Sequence, residues 1–234
     1  MRVIVAVWRA FCYFTGSLVI ATAIYEFWFF AQILHWVDHN PPTTRFMESR
    51  LREIKQKYPN ARLQQEWVDY GKISINLKRA IIVAEDAKFI DHEGFDWEGM
   101  ERAIEKNQER GRIVAGGSTI TQQLAKNLFL SGERSALRKI QEAAITIMLE
   151  LVMDKRRIFE IYLNVAEWGD GIFGAEAAAR HYFGVDAASL TPELGARLAA
   201  MLPRPRYYDR YRTSPYLEKY SEIIAERMDA AQIP

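Results

Sequence analysis

The N-terminal apolar run constrains the fold more than any other part of the chain. Residues 3–36 are mostly apolar or aromatic, with Arg9 and Glu26 as the only charged residues, and Ala10–Tyr25 carries no charge. A helix that crosses a bilayer needs roughly 20 mostly apolar residues. The sequence therefore predicts a transmembrane anchor over 10–30. A cleaved signal peptide is the alternative, but the run is long for one and shows no convincing small-residue cleavage site.

The charges beside the anchor predict its orientation and the division of the chain. Arg2 and Arg9 precede the span and Asp38 follows it, so the positive-inside tendency places a short tail, 1–9, in the cytoplasm. The Pro41-Pro42 pair then breaks the helix. We expect a linker and membrane-proximal segment over 31–70, a main domain over 71–210 and a C-terminal helix within 211–234.

Composition excludes several classes of protein. The 234 residues have a formal charge of +1, and we find no nucleic-acid-binding motif. The single cysteine, Cys12, rules out an intrachain disulfide framework, and the four histidines are too scattered for a zinc site. Helical periodicity recurs along the chain without a strand-rich region. The predicted fold class is mainly α, with one N-terminal transmembrane helix.

Two predicted helices occupy 116–142. Gly116 and Gly117 precede the first, Ser118 and Thr119 are its candidate N-caps, and Thr119 with Gln122 fits a capping box. The second is predicted to begin near Ser135. Polar and charged side chains then share one region: Gln123, Lys126, Asn127, Arg134, Arg138 and Glu142. A capped helix start with three cations suits a phosphate or diphosphate, although a solvated helix pair with ordinary surface charges fits the spacing equally well.

A pair of carboxylates ends an earlier predicted helix. It begins near Asn76 and delivers Glu85 and Asp86 at its C-terminus, where acidic residues oppose the helix dipole. Burial beside apolar neighbours would favour the protonated form and tune such a group for acid–base chemistry. By pattern alone, surface carboxylates at a helix end are the stronger interpretation. His92 is interpreted as a hydrogen-bonded structural residue and Gly94 as a turn residue.

Five runs of the sequence together resemble the successive motifs of glycosyltransferase family 51, the peptidoglycan glycosyltransferases. They are EDAKFIDHEGFDW (85–97), GGSTITQQLAKN (116–127), RKIQEA (138–143), KRRIFEIYLN (155–164) and GIFGAEAAARHYFG (171–184). Their order and separations fit the family across roughly 73–208. The resemblance implies a lysozyme-like glycosyltransferase domain of two lobes. It also implies polymerisation of lipid II into β-1,4 glycan strands with release of undecaprenyl diphosphate. No S-x-x-K or K-T-G signature of a transpeptidase module occurs in the chain.

The resemblance also assigns roles to residues. Glu85 matches the catalytic base and Glu142 the second carboxylate, on the leaving-group side. The diphosphate would be held by Lys126, Arg134 and Arg138, and the donor site lined by Thr119, Gln123 and Asn127. The residues expected to support the site are Asp86, Phe89, His92, Gly117 and Ser118, of which Ser118 is interpreted as a helix cap.

Cofactors, partners and location follow as expectations. No cofactor is required, although a divalent cation such as Mg²⁺ at Glu142 is compatible with the sequence. The implied partners are lipid II, the nascent glycan strand, the bilayer and, through the transmembrane helix, division or elongation proteins; nucleic acid is not among them. The family implies the bacterial inner membrane, with a periplasmic catalytic domain. A lytic transglycosylase or muramidase of similar fold and a non-catalytic membrane scaffold are the alternative functions.

Overall fold

The computed structural model describes residues 2–112, 116–130 and 135–234. The described chain divides into two compact units, one that ends at His39 and one that covers Asn40–Pro234. The first unit consists mainly of helix α1 (Arg2–His35). Its segment Val3–His35 is long and apolar enough to cross a membrane. A candidate span therefore lies where the anchor is predicted, in a helix longer than 10–30.

The second unit is mainly helical, as predicted. Its α-helices are α2 (Arg45–Lys57), α3 (Ile75–Glu85), α4 (Trp97–Glu109), α5 (Ile120–Phe129), α6 (Ala136–Val152), α7 (Lys155–Val165), α8 (Ala175–Phe183), α9 (Pro192–Met201), α10 (Pro205–Arg210) and α11 (Pro215–Arg227). Short 3₁₀ helices lie at Tyr70–Lys72, Ala187–Ser189 and Met228–Ala230.

Side-chain caps fix where the helices of the site begin. Thr119 and Gln122 form the predicted capping box at the start of α5, and Ser135 caps α6 by accepting from the Arg138 amide. The prediction that Ser118 is a cap was wrong. A capping box needs a glutamine or glutamate three residues after the cap, and this spacing selects Thr119.

A small sheet of three short strands occurs in this unit, although the sequence shows no strand-rich region. Strands β1 (Gln64–Gln65), β2 (Glu167–Gly169) and β3 (Ile172–Phe173) lie in the order β1-β3-β2. β3 pairs parallel to β1 and antiparallel to β2. Gly171, with φ +81°, makes the tight connection between the last two strands. The short segments are too brief to show the alternation by which strands are recognised.

Close helix contacts hold α3 and α5 in place. α3 packs against α9 and α11, while α5 packs against α6 and α7. A Cβ atom at Gly195 of α9 would lie 2.9 Å from the backbone nitrogen of Leu77, so only glycine allows this approach. Leu77 and Ile81 of α3 are fully buried.

A buried arginine connects α2 to the sheet. Arg50 is 4% exposed; its Nε donates to Glu167 Oε1 at 3.0 Å and its Nη2 to Asp170 Oδ1 at 2.7 Å. Glu53 of α2 accepts a further bond from Arg50. Three carboxylates thus satisfy one buried cation, as burial of a charge requires.

Candidate active site

Glu85 is the last residue of α3 and lies in a polar pocket beside α5. The Nε2 atom of Gln123 donates to Glu85 Oε2 at 2.7 Å, and the Tyr162 hydroxyl lies 3.2 Å from Oε1 of the same glutamine. Tyr162 is 1% exposed. This chain of contacts from α7 through α5 fixes the orientation of the Glu85 carboxylate.

Partial burial raises the pKa of Glu85 above its ordinary value, because the ionised carboxylate loses part of its hydration. The hydrogen bond from Gln123 and the positive charge of Lys126 oppose this effect, whereas Asp86 adds to it. Glu85 thus lies at a helix end with intermediate exposure, between a solvated surface carboxylate and a fully buried one. A carboxylate of raised pKa is suited to accept a proton.

Asp86 joins the end of α3 to the beginning of α5. Its Oδ2 accepts the backbone amide of Ile120, the first residue of α5, at 2.9 Å, and its Oδ1 lies 2.9 Å from His92 Nε2. The Asp86 side chain is 1% exposed. An acidic residue that opposes the dipole of α3 is therefore stabilised at the positive end of another helix.

Residues of the loop after Asp86 stabilise the contact between α3 and α5. His92 is hydrogen-bonded, as predicted, and Phe89 is fully buried against Phe159, with 5.6 Å between ring centroids. Gly94 has φ +85°, and a Cβ atom there would lie 2.7 Å from Thr146 Cγ2. The Gly94 carbonyl accepts the Thr119 hydroxyl at 2.7 Å, so the loop is bonded directly to the cap of α5.

A cleft of about 180 Å³ opens beside Glu85. Its lining includes the ends of α3 and α4 and the segment before α5: Val83, Ala84, Glu85, Asp86, Ala87, Asp96, Gly99, Met100, Gly116, Gly117, Ser118 and Thr119. A Cβ atom at Gly117 would lie 3.2 Å from the Met100 backbone. Gly117 and the exposed Ser118 therefore form part of the cleft wall beside the carboxylate.

Glu142 lies on α6 within a cluster of cations. It is 4% exposed, and Arg138 Nη1 donates to its Oε2 at 3.0 Å. Lys139 donates to the other oxygen, Oε1. Lys139 is not among the predicted site residues, although its i, i+3 spacing from Glu142 places both side chains on one helix face.

Lys126 lies within electrostatic range of both carboxylates. Although part of the side chain stays exposed, desolvation lowers the pKa of Lys126, and the charges of Glu142 and Glu85 oppose that effect. Arg138 Nε is buried and has no hydrogen-bond partner among the residues described. Lys126, whose side chain is exposed, thus remains as a donor to an anion. Arg134, the third predicted cation, lies outside the described residues.

The remaining predicted site residues differ in whether their side chains are free to bind a ligand. The Thr119 hydroxyl bonds to Gly94 and to the Gln122 amide, so its observed role is structural. Asn127 is only 7% exposed. Tyr220, which sequence reasoning missed, contributes a hydroxyl 3.5 Å from the Ala84 carbonyl; its position in α11, outside the motifs, gave no signal.

Both carboxylate oxygens of Glu142 accept hydrogen bonds from cations, Arg138 at one and Lys139 at the other. A divalent cation that bridges Glu142 and a bound diphosphate stays a prediction.

Comparison with known proteins gives a consistent result. A family model described as transglycosylase matches residues 51–229. A biosynthetic peptidoglycan transglycosylase of Dechloromonas aromatica is 60% identical over 211 residues, which cover 90% of this chain and 91% of the relative. Proteins of the same name from Methylobacillus flagellatus and Nitrosospira multiformis are 57% and 54% identical, with 92% and 97% of this chain covered and 94% and 97% of each relative.

Proposed function

The chain belongs to the transglycosylase family and is a peptidoglycan glycosyltransferase of cell-wall synthesis, and on that premise we propose how its residues carry out the reaction. Glu85 is the general base. It accepts the proton of the acceptor sugar 4-hydroxyl while that oxygen attacks the anomeric carbon of the donor. The C–O bond to the diphosphate breaks on the opposite face, so the α-linked donor gives a β-1,4 bond.

The cations of α5 and α6 stabilise the leaving group. Lys126 and Arg138 receive the charge that develops on the diphosphate, and Glu142 holds Arg138 in position. Arg134 belongs to the same proposed group by its place in the sequence. No step is assigned to a divalent metal.

The observation that carries this proposal is the position of Glu85, a desolvated carboxylate bonded to Gln123 within electrostatic range of Lys126. A base on one side of the reacting carbon and cations on the other meet the demand of an inverting transfer. A glycan-cleaving enzyme has no comparable use for a diphosphate clamp.

The first experiment is polymerisation of labelled lipid II by the full chain in detergent. We expect lysozyme-sensitive polymer from the wild type, its loss in Glu85→Gln, and a large decrease in kcat in Glu142→Gln. The exposed Glu226→Gln is the matched control and should retain full activity. Polymer from Glu85→Gln at the wild-type rate would reject the base. Fragments released from murein sacculi would indicate a lytic enzyme instead, and a folded wild type without either activity would indicate a scaffold.

We further propose that the second unit itself contacts the bilayer. In the apolar run 127–130, Leu128 is buried, as core packing requires. On α6 four apolar side chains are 50–79% exposed and recur at helical spacing: Leu137, Ile140, Ile147 and Leu151. Such a stripe suits an interface with lipid. A spin label at Leu151→Cys, in a Cys12→Ser background, should show lipid-like oxygen accessibility, whereas one at Glu226→Cys should not.

The orientation in the membrane is proposed from charge. With Arg2 and Arg9 before the span and Asp38 after it, the N-terminus is cytoplasmic and the catalytic unit periplasmic in the bacterial inner membrane. Division or elongation proteins would bind through α1. Reporter fusions at both termini test the orientation, and a cytoplasmic C-terminus would reject it.

A further inference from the structure

A second cavity, of about 470 Å³, lies at the segment that connects α9 to α11. It is lined by Pro203, Arg204, Pro205, Arg206, Tyr207, Arg210 and Tyr211. Three cations and two phenol rings therefore come from one short stretch around α10. The volume is within the range of sites that bind small organic ligands.

The arginines of this cavity are available to an anion. Within the described ranges, neither Arg204 nor Arg210 forms an ion pair, and both are exposed. Arg206 reaches carboxylates only at long distance, 3.8 Å from Glu167 Oε2. Asp209, the acidic residue of this segment, is already bonded to Arg212 and His181. The cavity thus carries an uncompensated positive charge.

The segment that lines the cavity is next to helices that pack against α3. It follows α9 and precedes α11, and both of these helices pack against α3, whose last residue is Glu85. Within the cavity the ring centroids of Tyr207 and Tyr211 lie 4.8 Å apart. In α11 the Tyr220 hydroxyl lies 3.5 Å from the carbonyl of Ala84, the residue before Glu85.

The cavity and the cations of the leaving group are built from different parts of the fold. The cavity lies between α9 and α11, which pack against α3, whereas Lys126 and Arg138 belong to α5 and α6.

We propose that the cavity binds the peptide-bearing sugar of the acceptor substrate, an inference that rests on the proposed function. The Tyr211 ring packs against the apolar C–H face of a sugar, and Arg204, which lies over the Tyr207 ring at 4.4 Å from its centroid, binds carboxylates of the attached peptide together with Arg206 and Arg210. Arginine suits this ligand because its planar guanidinium pairs with both oxygens of a carboxylate. An anionic lipid headgroup would use the charges but would gain little from the tyrosine faces.

Kinetics with two forms of lipid II test the ligand class. We expect Arg204→Gln/Arg210→Gln to raise KM about tenfold in neutral detergent, with kcat within about twofold, when the peptide carboxylates are free. Lipid II with amidated carboxyl groups should raise the wild-type KM similarly and leave the variant's KM unchanged. Arg52→Gln/Lys55→Gln, which removes two exposed charges from α2, is the matched control and should behave as the wild type.

Binding of a lipid-free, labelled disaccharide-pentapeptide gives a readout that does not depend on catalysis. Wild type and control should bind it by fluorescence anisotropy, and the double arginine variant should bind about tenfold more weakly. Tyr211→Ala should also weaken binding, with recovery in Tyr211→Phe, which keeps the ring.

The outcomes separate this proposal from the proposed function. Normal binding without polymer would count against the function and leave the cavity assignment supported. Equal KM values in variant and wild type, or the same tenfold effect with both substrates, would overturn the assignment. It would also be overturned if added phosphatidylglycerol changed the wild-type KM more than the variant's while amidation had no effect, since that pattern indicates a lipid headgroup.

Discussion

Replacement of Asp86 should destabilise the folded protein, because its side chain bonds the end of α3 to the beginning of α5. Asp86→Ala removes the acceptor of the Ile120 amide and of His92, both at 2.9 Å. Hydrogen bonds to charged groups contribute about 1.5–3 kcal/mol each, and the side chain is 1% exposed. We therefore expect a loss of about 3–5 kcal/mol in the free energy of unfolding.

Asp86→Asn should cost less, about 1–2 kcal/mol. Its amide oxygen can still accept from Ile120, but the negative charge at the start of α5 is lost. Its nitrogen would donate to His92 Nε2 and move the ring proton to Nδ1, which is buried and has no partner among the residues described.

Thermal unfolding of the full chain, followed by circular dichroism in detergent, measures both effects. For a chain of this length 1 kcal/mol corresponds to about 2–4 °C, so Asp86→Ala should lower Tm by about 6–20 °C. The neighbouring exposed Asp91→Ala is the control and should change Tm by less than about 2 °C. If the free energy of unfolding of Asp86→Ala stays within about 1 kcal/mol of the wild-type value, the Asp86 hydrogen bonds do not hold the two helices together.

Three further predictions concern the site and the core. Gln123→Ala should shift the acidic limb of the kcat/KM profile to higher pH, because the hydrogen bond that lowers the pKa of Glu85 is removed and the base must be deprotonated; an unchanged or downward-shifted limb would contradict this. Glu142→Gln should reduce kcat for lipid II more than it changes KM. If KM rises while kcat is unchanged, Glu142 acts in ground-state binding instead. Gly195→Ala should destabilise the chain by about 1–3 kcal/mol, since its Cβ would lie 2.9 Å from the Leu77 nitrogen, and a wild-type Tm would refute that contact.

Local chemistry made parts of the structure predictable from sequence. Thr119 and Gln122 have the spacing of a capping box, and Ser135 precedes an amphipathic run, so both helix starts followed from short-range rules. α4 and α10 were missed. In α4 only Ala103 is buried and Gly99 weakens the helical signal, while α10 has six residues and begins with Pro205.

Motif resemblance assigned roles to Glu85 and Lys126 but gave no contacts. The bond from Gln123 to Glu85 and the proximity of Tyr220 depend on how α5 and α11 are placed beside α3. The position of Asp86 shows the difference well. At the end of α3 it contradicts a local rule, and only its contact with the first amide of α5 explains the residue.

The buried arginine of α2 has a consequence for how the protein forms during synthesis. Arg50 finds Glu167 and Asp170 at separations of 117 and 120 residues along the chain. At 5–20 residues per second the ribosome needs roughly 6–24 s to make that interval. During this time α2 can form but its cation has no carboxylate of the sheet to bind. Contacts of such long sequence separation slow folding, so the catalytic unit should fold late, after β2 has emerged, and a nascent chain stopped before that point should remain sensitive to protease.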